Sequence, residues 1–168
     1  MYLYLFLAVL IGLPALYGML QVVRQGRKKS RQLRLAGAFD ALVRQHKLSV
    51  ECLDILEGRI IALDRKNKKL LLIDHTGKHR QECCISLFHV REVRIVEDQD
   101  PVHRCTHTLS VELACRRADT RYRFYFYRDG RDAVTELPSL SRKALHWHSR
   151  ISLHRSPGII SLEQEFTG

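Results

Sequence analysis

Between residues 51 and 128 apolar side chains recur at every second position, and short charged or glycine-containing turns break the run at regular intervals. A period of two is the spacing of a strand with one face buried, and turns this short join antiparallel neighbours. "GRIIALD" (58–64) and "KLLLID" (69–74) flank the charged turn "RKNK"; "HTGK" turns again before "HRQECCIS" (79–86), where Cys83 and Ile85 share a face. In "VREVRIVED" (90–98), Val93 and Ile95 fall on one face with Arg91. "TLSVELACRR" (108–117) puts Leu109, Val111, Leu113 and Cys115 on one side and Ser110, Glu112 and Ala114 on the other. "RYRFYFYR" (121–128) sends Tyr122, Phe124 and Phe126 inward and Arg121, Arg123, Tyr125 and Tyr127 outward. Six strands are expected, and a seventh if Cys52–Leu56 is extended.

Such a sheet needs a cover. "LPSLSRKALHWHSRISL" (137–153) supplies one: Leu140, Ala144, Trp147 and Ile151 recur at helical spacing, Ser139 or Ser141 can cap, and Pro138 suits a helix entry. Trp147 reads as a plug for the core. Ahead of the strands, "RQLRLAGAFDALVRQHKLS" (31–49) reads as an amphipathic helix, with Leu35, Phe39, Leu42 and His46 in one stripe that docks on the domain or on a second copy. The fold class is α+β.

Residues 1–23 carry no charged side chain, and residues 24–34 carry six cations: Arg24, Arg27, Lys28, Lys29, Arg31 and Arg34. As a helix the first segment would be about 34 Å long, enough to cross a hydrocarbon core of about 30 Å. No basic n-region and no small-residue cleavage pattern marks a signal peptide. The cations direct the following chain to the cytoplasm, giving one span of the inner or plasma membrane with the N-terminus out. The expected organisation is an anchor (1–23), a basic juxtamembrane stretch and helix (24–50), a folded domain (51–154) and a tail (155–168). Without the six cations, 22 basic residues face 18 acidic ones, so the basicity is local and nucleic acid is not expected as a partner.

The strand series, the turn in "CCISLFHVREVRIVED", the segment "LSVELACRRADTRYRFYFYRDG" and the Trp-bearing "RKALHWHSRI" resemble a bacterial pleckstrin-homology-like domain. The opening hairpin, "GRIIALDRKNKKLLLID", is similar to that of small bacterial membrane proteins with one N-terminal span. The resemblance implies a seven-stranded barrel plugged at one end by the helix. It also implies a non-enzymatic module that binds lipid, peptide or protein, and places headgroup contacts on the first hairpin, here Arg65, Lys66, Lys68 and Lys69 with Arg59 as a neighbour. The plainer reading of those cations is a solvated turn.

No P-loop, GxGxxG, GxSxG or HExxH occurs, and no cofactor is implied. Five cysteines without a CxxC pair do not make a disulfide framework. "HRCTH" sets His103, Cys105 and His107 at alternate positions, and Cys83 or Cys84 could join them as metal ligands or reactive thiols, although zinc sites usually need a second spaced pair. Two classes of function follow: a membrane-tethered interaction or scaffold module that binds a protein or self-associates at the inner leaflet, and a metal- or thiol-based sensor or enzyme.

Overall fold

The computed structural model describes residues 29–77, 80–100, 105–116 and 120–155. The expected span over 1–23, the cations Arg24, Arg27 and Lys28, the ligand candidate His103 and the tail beyond residue 155 lie outside the described residues. Among the described residues no helix is long and apolar enough to cross a membrane.

The chain is α+β. A helix over 29–46 (α1) is followed by strands β1 (Cys52–Leu56), β2 (Arg59–Asp64), β3 (Lys69–Asp74) and β4 (Gln81–Ser86), a 3-10 turn at Leu87–His89, and strands β5 (Val90–Gln99), β6 (Thr106–Cys115) and β7 (Arg121–Arg128). A second helix, α2 (Leu137–His154), closes the described chain. All pairings are antiparallel: β1-β2-β3-β4 form one sheet and β5-β6-β7 another. Cys52–Leu56 is thus the seventh strand.

The inner faces of the two sheets meet in one core. Ile61, Leu63, Leu70 and Leu72 come from the first sheet and Val111, Leu113, Phe124 and Phe126 from the second. The stripe Leu140, Ala144, Trp147 and Ile151 of α2 is buried among them, as its spacing predicts. Neither expected serine caps α2: the residue before it is Glu136, without a side-chain cap, and Ser139 Oγ bonds back to the Glu136 carbonyl at 2.7 Å.

β2 and β3 are buried almost end to end because the first sheet is covered on both faces. Leu35, Ala38, Phe39, Leu42 and Val43 of α1 form a second apolar layer with Ile60, Ala62, Leu71 and Ile73 on the outer face. The amphipathic helix therefore docks on its own domain. It also explains the cysteine pair: Cys83 packs against the inner core and Cys84 against the α1 layer, so neither is fully open to solvent.

A polar seam, buried except for part of Arg128, ties the sheets together at one end. Arg59 of β2 pairs with Asp132 at 2.6 Å and donates to the Tyr125 carbonyl of β7 at 3.0 Å. Arg128 of β7 pairs with Asp74 of β3 at 3.0 Å and donates to Thr76 Oγ1 at 2.9 Å. Two cations and two anions balance, the condition under which buried charge is tolerated. The seam passes beside Gly58, whose φ of 71° and a 2.8 Å approach of Thr76 Cγ2 to any added Cβ leave no room for a side chain.

The register shifts at three places among the described strands, Val90/Glu92, Asp98/Gln99 and Leu109/Ser110, and two of these shifts change where side chains point. In β7, Leu109 faces Tyr127 while Ser110 faces Tyr125, so Phe126 is the extra residue and both Phe126 and Tyr127 turn into the core. The outward position expected for Tyr127 is corrected by that bulge. In β5, Val90 faces Cys115 and Glu92 faces Ala114, so Arg91 is extra. Val90 and Val93 both stay buried, and Arg91 leaves the inward face expected for it and is exposed beside Glu92.

Candidate functional site

The hairpin cations serve the fold before they serve a ligand. Asp64 organises the turn: Oδ1 accepts the Asn67 amide at 2.8 Å, and Oδ2 accepts Asn67 Nδ2 at 2.7 Å and the Ser49 amide at 2.8 Å. Burial pushes the Asp64 carboxyl up, but these bonds and nearby Lys69 together hold it below the usual range. Arg65 donates to Cys52 Sγ at 3.0 Å and lies 3.5 Å from Glu51. Lys68 adopts a φ of 50° and sets its ammonium 4.9 Å from the Phe88 ring centroid. Lys69 Nζ donates to the His46 carbonyl at 3.2 Å, at the end of α1. Lys66 is exposed. Arg59 does not join them as a surface neighbour: only 2 % of it is accessible, and it is committed to the seam.

The hairpin also lies at the far end of α1 from the entering chain. Residue 29 and residue 46 are about 26 Å apart at the helical rise of about 1.5 Å. Lys29, Arg31 and Arg34 are exposed in the first turns of α1, away from the hairpin.

Of the 103–107 cluster the structure describes Cys105, Thr106 and His107. Cys105 and His107 are exposed, and His107 Nδ1 lies 3.5 Å from Asp129. Among the described residues no three His, Cys, Asp or Glu side chains are grouped to hold a metal ion. Burial pushes the Cys83 thiol up to about 11 and also raises Cys84 and Cys115, which opposes thiolate formation.

The densest charge lies on the outer face of the second sheet. The cross-strand registers set two rows side by side, Arg94–Glu112–Arg123 and Glu92–Ala114–Arg121. Arg123 donates to Glu112 Oε2 through Nε at 3.3 Å and Nη2 at 2.8 Å, and Arg121 reaches Oε1 at 3.4 Å. Arg123, then Arg121 and Arg94, hold the Glu112 carboxyl below the usual range despite its burial. Arg94 grips both oxygens of Glu92 at 2.5 and 2.9 Å. Arg94 foremost, then Arg91 and Arg121, depress the Glu92 carboxyl in turn. The small Ala114 leaves a shallow dent of about 30 Å³ rimmed by Arg91, Glu92, Arg94, Glu112 and Arg121. Farther along the face Arg128 stacks on Tyr125 at 3.8 Å. Alternation identified Arg121, Arg123 and Tyr125 as outward; the bulge that delivers Arg91 has no signature in the sequence.

α2 closes over the edge of this sheet. His148 Nε2 lies 3.2 Å from the Val93 carbonyl, and an Arg155 guanidinium donates to the Arg91 carbonyl. Side chains thus occupy acceptors of β5, which has a strand neighbour on one side only. No family model, no curated protein and no solved structure matches the chain.

Proposed function

We propose that the protein is a membrane-tethered, non-enzymatic interaction module, with a pleckstrin-homology-like domain on the cytoplasmic side of a single N-terminal span. The tether rests on the uncharged 1–23 segment and the six cations that follow it. The domain reading rests on the four- and three-stranded sheets and a C-terminal helix that buries Trp147 between them. One observation carries the interaction reading. α1 covers the outer face of the first sheet, while the second sheet presents Arg91, Arg94, Arg121, Arg123 and the Arg128–Tyr125 stack on its outer face. Arginine and tyrosine are enriched where proteins meet.

A photo-crosslinking residue at Tyr125, compared with one at Ala41 on the exposed side of α1, tests this in cells that carry the protein. A discrete protein adduct from position 125 and none from 41 is expected; no adduct from 125 removes the reading. Resistance of the full chain to alkaline extraction from membranes tests the tether separately.

Self-association has its own observation. β1 is an edge strand, and its outward Leu53 and Ile55 remain 44 % and 62 % exposed beside the α1 layer. Antiparallel β1–β1 pairing would cover them. Light scattering of the detergent-solubilised protein should then show a dimer that Ile55→Lys dissociates; a monomer at high concentration eliminates this mode.

A further inference from the structure

We propose that the dent over Ala114 is a phosphate site, and that it takes the phosphate ester of a phosphorylated segment in a partner protein. This rests on the reading of the outer sheet face as a protein-binding surface, and it adds the chemistry of recognition. Four guanidinium groups, Arg91, Arg94, Arg121 and Arg123, gather around two carboxylates, Glu92 and Glu112. Arg94 neutralises Glu92 with two hydrogen bonds, and Arg123 neutralises Glu112 with two. Among the described residues of the cluster two positive charges are left over, and they belong to the side chains with spare donors. Arg121 makes a single long bond of 3.4 Å to Glu112. Arg91 stands exposed on its bulge; it acts on Glu92 through its charge, and its backbone carbonyl accepts a hydrogen bond from Arg155. Both line the dent. A phosphate monoester carries close to two negative charges at neutral pH and three acceptor oxygens, the complement of two guanidinium forks with spare donors.

The size of the dent selects how that phosphate arrives. A volume of about 30 Å³ admits little more than one oxygen atom or water, so it cannot enclose a metabolite. It suits a charged group held out on a larger body that rests on the surrounding sheet. The location selects the body. The Leu87 amide donates to the Lys68 carbonyl at 2.8 Å, so the 3-10 turn that leads directly into β5 adjoins the 65–68 turn. That is the end of the domain reached by the C-terminus of α1, about 26 Å along the helix from residue 29. A bilayer that held residues 1–23 would enter from the other end of α1, which favours a protein phosphate over a lipid headgroup.

The test uses the full-length protein in detergent micelles and two peptide pools randomised around a central phosphoserine, one of them dephosphorylated. Captured peptides are counted by mass spectrometry. The phosphorylated pool should be retained at least about tenfold better, and addition of salt should weaken retention. Arg91→Gln with Arg121→Gln should remove that preference while the thermal midpoint stays within a few degrees. Ala114→Glu keeps every arginine and fills the dent with a carboxylate, and should remove it too. Equal retention of the two pools, no retention of either, or a preference that survives both variants overturns the site. Binding to vesicles bearing phosphorylated inositol headgroups, lost in Arg91→Gln/Arg121→Gln while phosphopeptides are ignored, overturns the protein source. If the pools are retained equally but the Tyr125 crosslink persists, the phosphate site fails and the protein-binding reading stands.

Discussion

Trp147 Nε1 donates to Asp54 Oδ2 at 2.6 Å, so the residue that fills the core from α2 is also hydrogen-bonded to the edge strand of the first sheet. Lys143, one helical turn earlier, lies 3.8 Å from the same carboxylate. The two roles separate by substitution. Trp147→Phe keeps most of the apolar volume and loses the bond, at about 1–2 kcal/mol with some underfilling. Trp147→Ala empties the site and should lose about 3–5 kcal/mol. Urea unfolding followed by circular dichroism measures both, and equal losses would deny the separate contribution of volume.

The Arg59–Asp132 pair should behave as a unit. Arg59→Met alone strands the Asp132 carboxylate, whose side chain is 5 % accessible, and should cost about 3–5 kcal/mol. Asp132→Leu alone strands the guanidinium at a similar cost. The double variant should recover much of either loss, a coupling that a double-mutant cycle reads directly. Additive losses would mean that the pair contributes no mutual term.

Acid should unfold the domain partly through Asp64 and Glu112. Both carboxyls are held below their ordinary values of 3.8 and 4.5. Each therefore adds stability that is fully present above its ordinary value and is lost as pH falls through the depressed folded value. Asp64→Asn and Glu112→Gln should flatten the fall in melting temperature between about pH 5 and pH 2. An unchanged acid limb in the double variant would assign it to other groups.

Thiol labelling should follow burial. The exposed Cys105 should react first with an alkylating reagent at pH 8, and Cys83, pushed up to about 11, should stay protected until the protein unfolds. Mass spectrometry of timed samples gives the order. Early labelling of Cys83 would contradict its packing against the inner core.

Leu35 is the buried anchor of α1 on the first sheet. Leu35→Ala should lose about 2–3 kcal/mol, toward the low end for a core leucine because one side of the layer can settle. Leu35→Lys should do more, exposing Ile60, Ala62, Leu71 and Ile73 to dye binding. No increase in dye fluorescence would show that α1 does not cover that face in solution.

What was legible followed from local periodicity. The α2 stripe, the strands from 58 to 128 and the amphipathic α1 each carry their own apolar spacing, and each lies where that spacing puts it. Cys52–Leu56 was ambiguous because it is an edge strand: Leu53 and Ile55 stay exposed, so polarity does not alternate with burial. The runs "IIAL" and "LLLI" fit a sheet covered on both faces, and α1, expected to dock on the domain or on a second copy, supplies the outer cover. The Arg91 and Tyr127 positions were illegible for a different reason. A bulge is set by the pairing of one strand with another, and no single strand's sequence records the slip. The burial of Arg59 is illegible locally because its partner Asp132 lies 73 residues away, past the end of β7.

The layer that α1 forms on the first sheet also decides how the domain carries mechanical load. Tension applied through residue 29 meets the first turns of α1 before any strand, and Leu35 is the first fully buried side chain in its path. The helix would peel turn by turn toward His46, where Lys69 holds its final carbonyl, while the seam of Arg59, Asp74, Arg128 and Asp132 keeps the two sheets joined. Under strain the chain would lengthen at a sacrificial layer, and the arginine face of the second sheet would keep its shape.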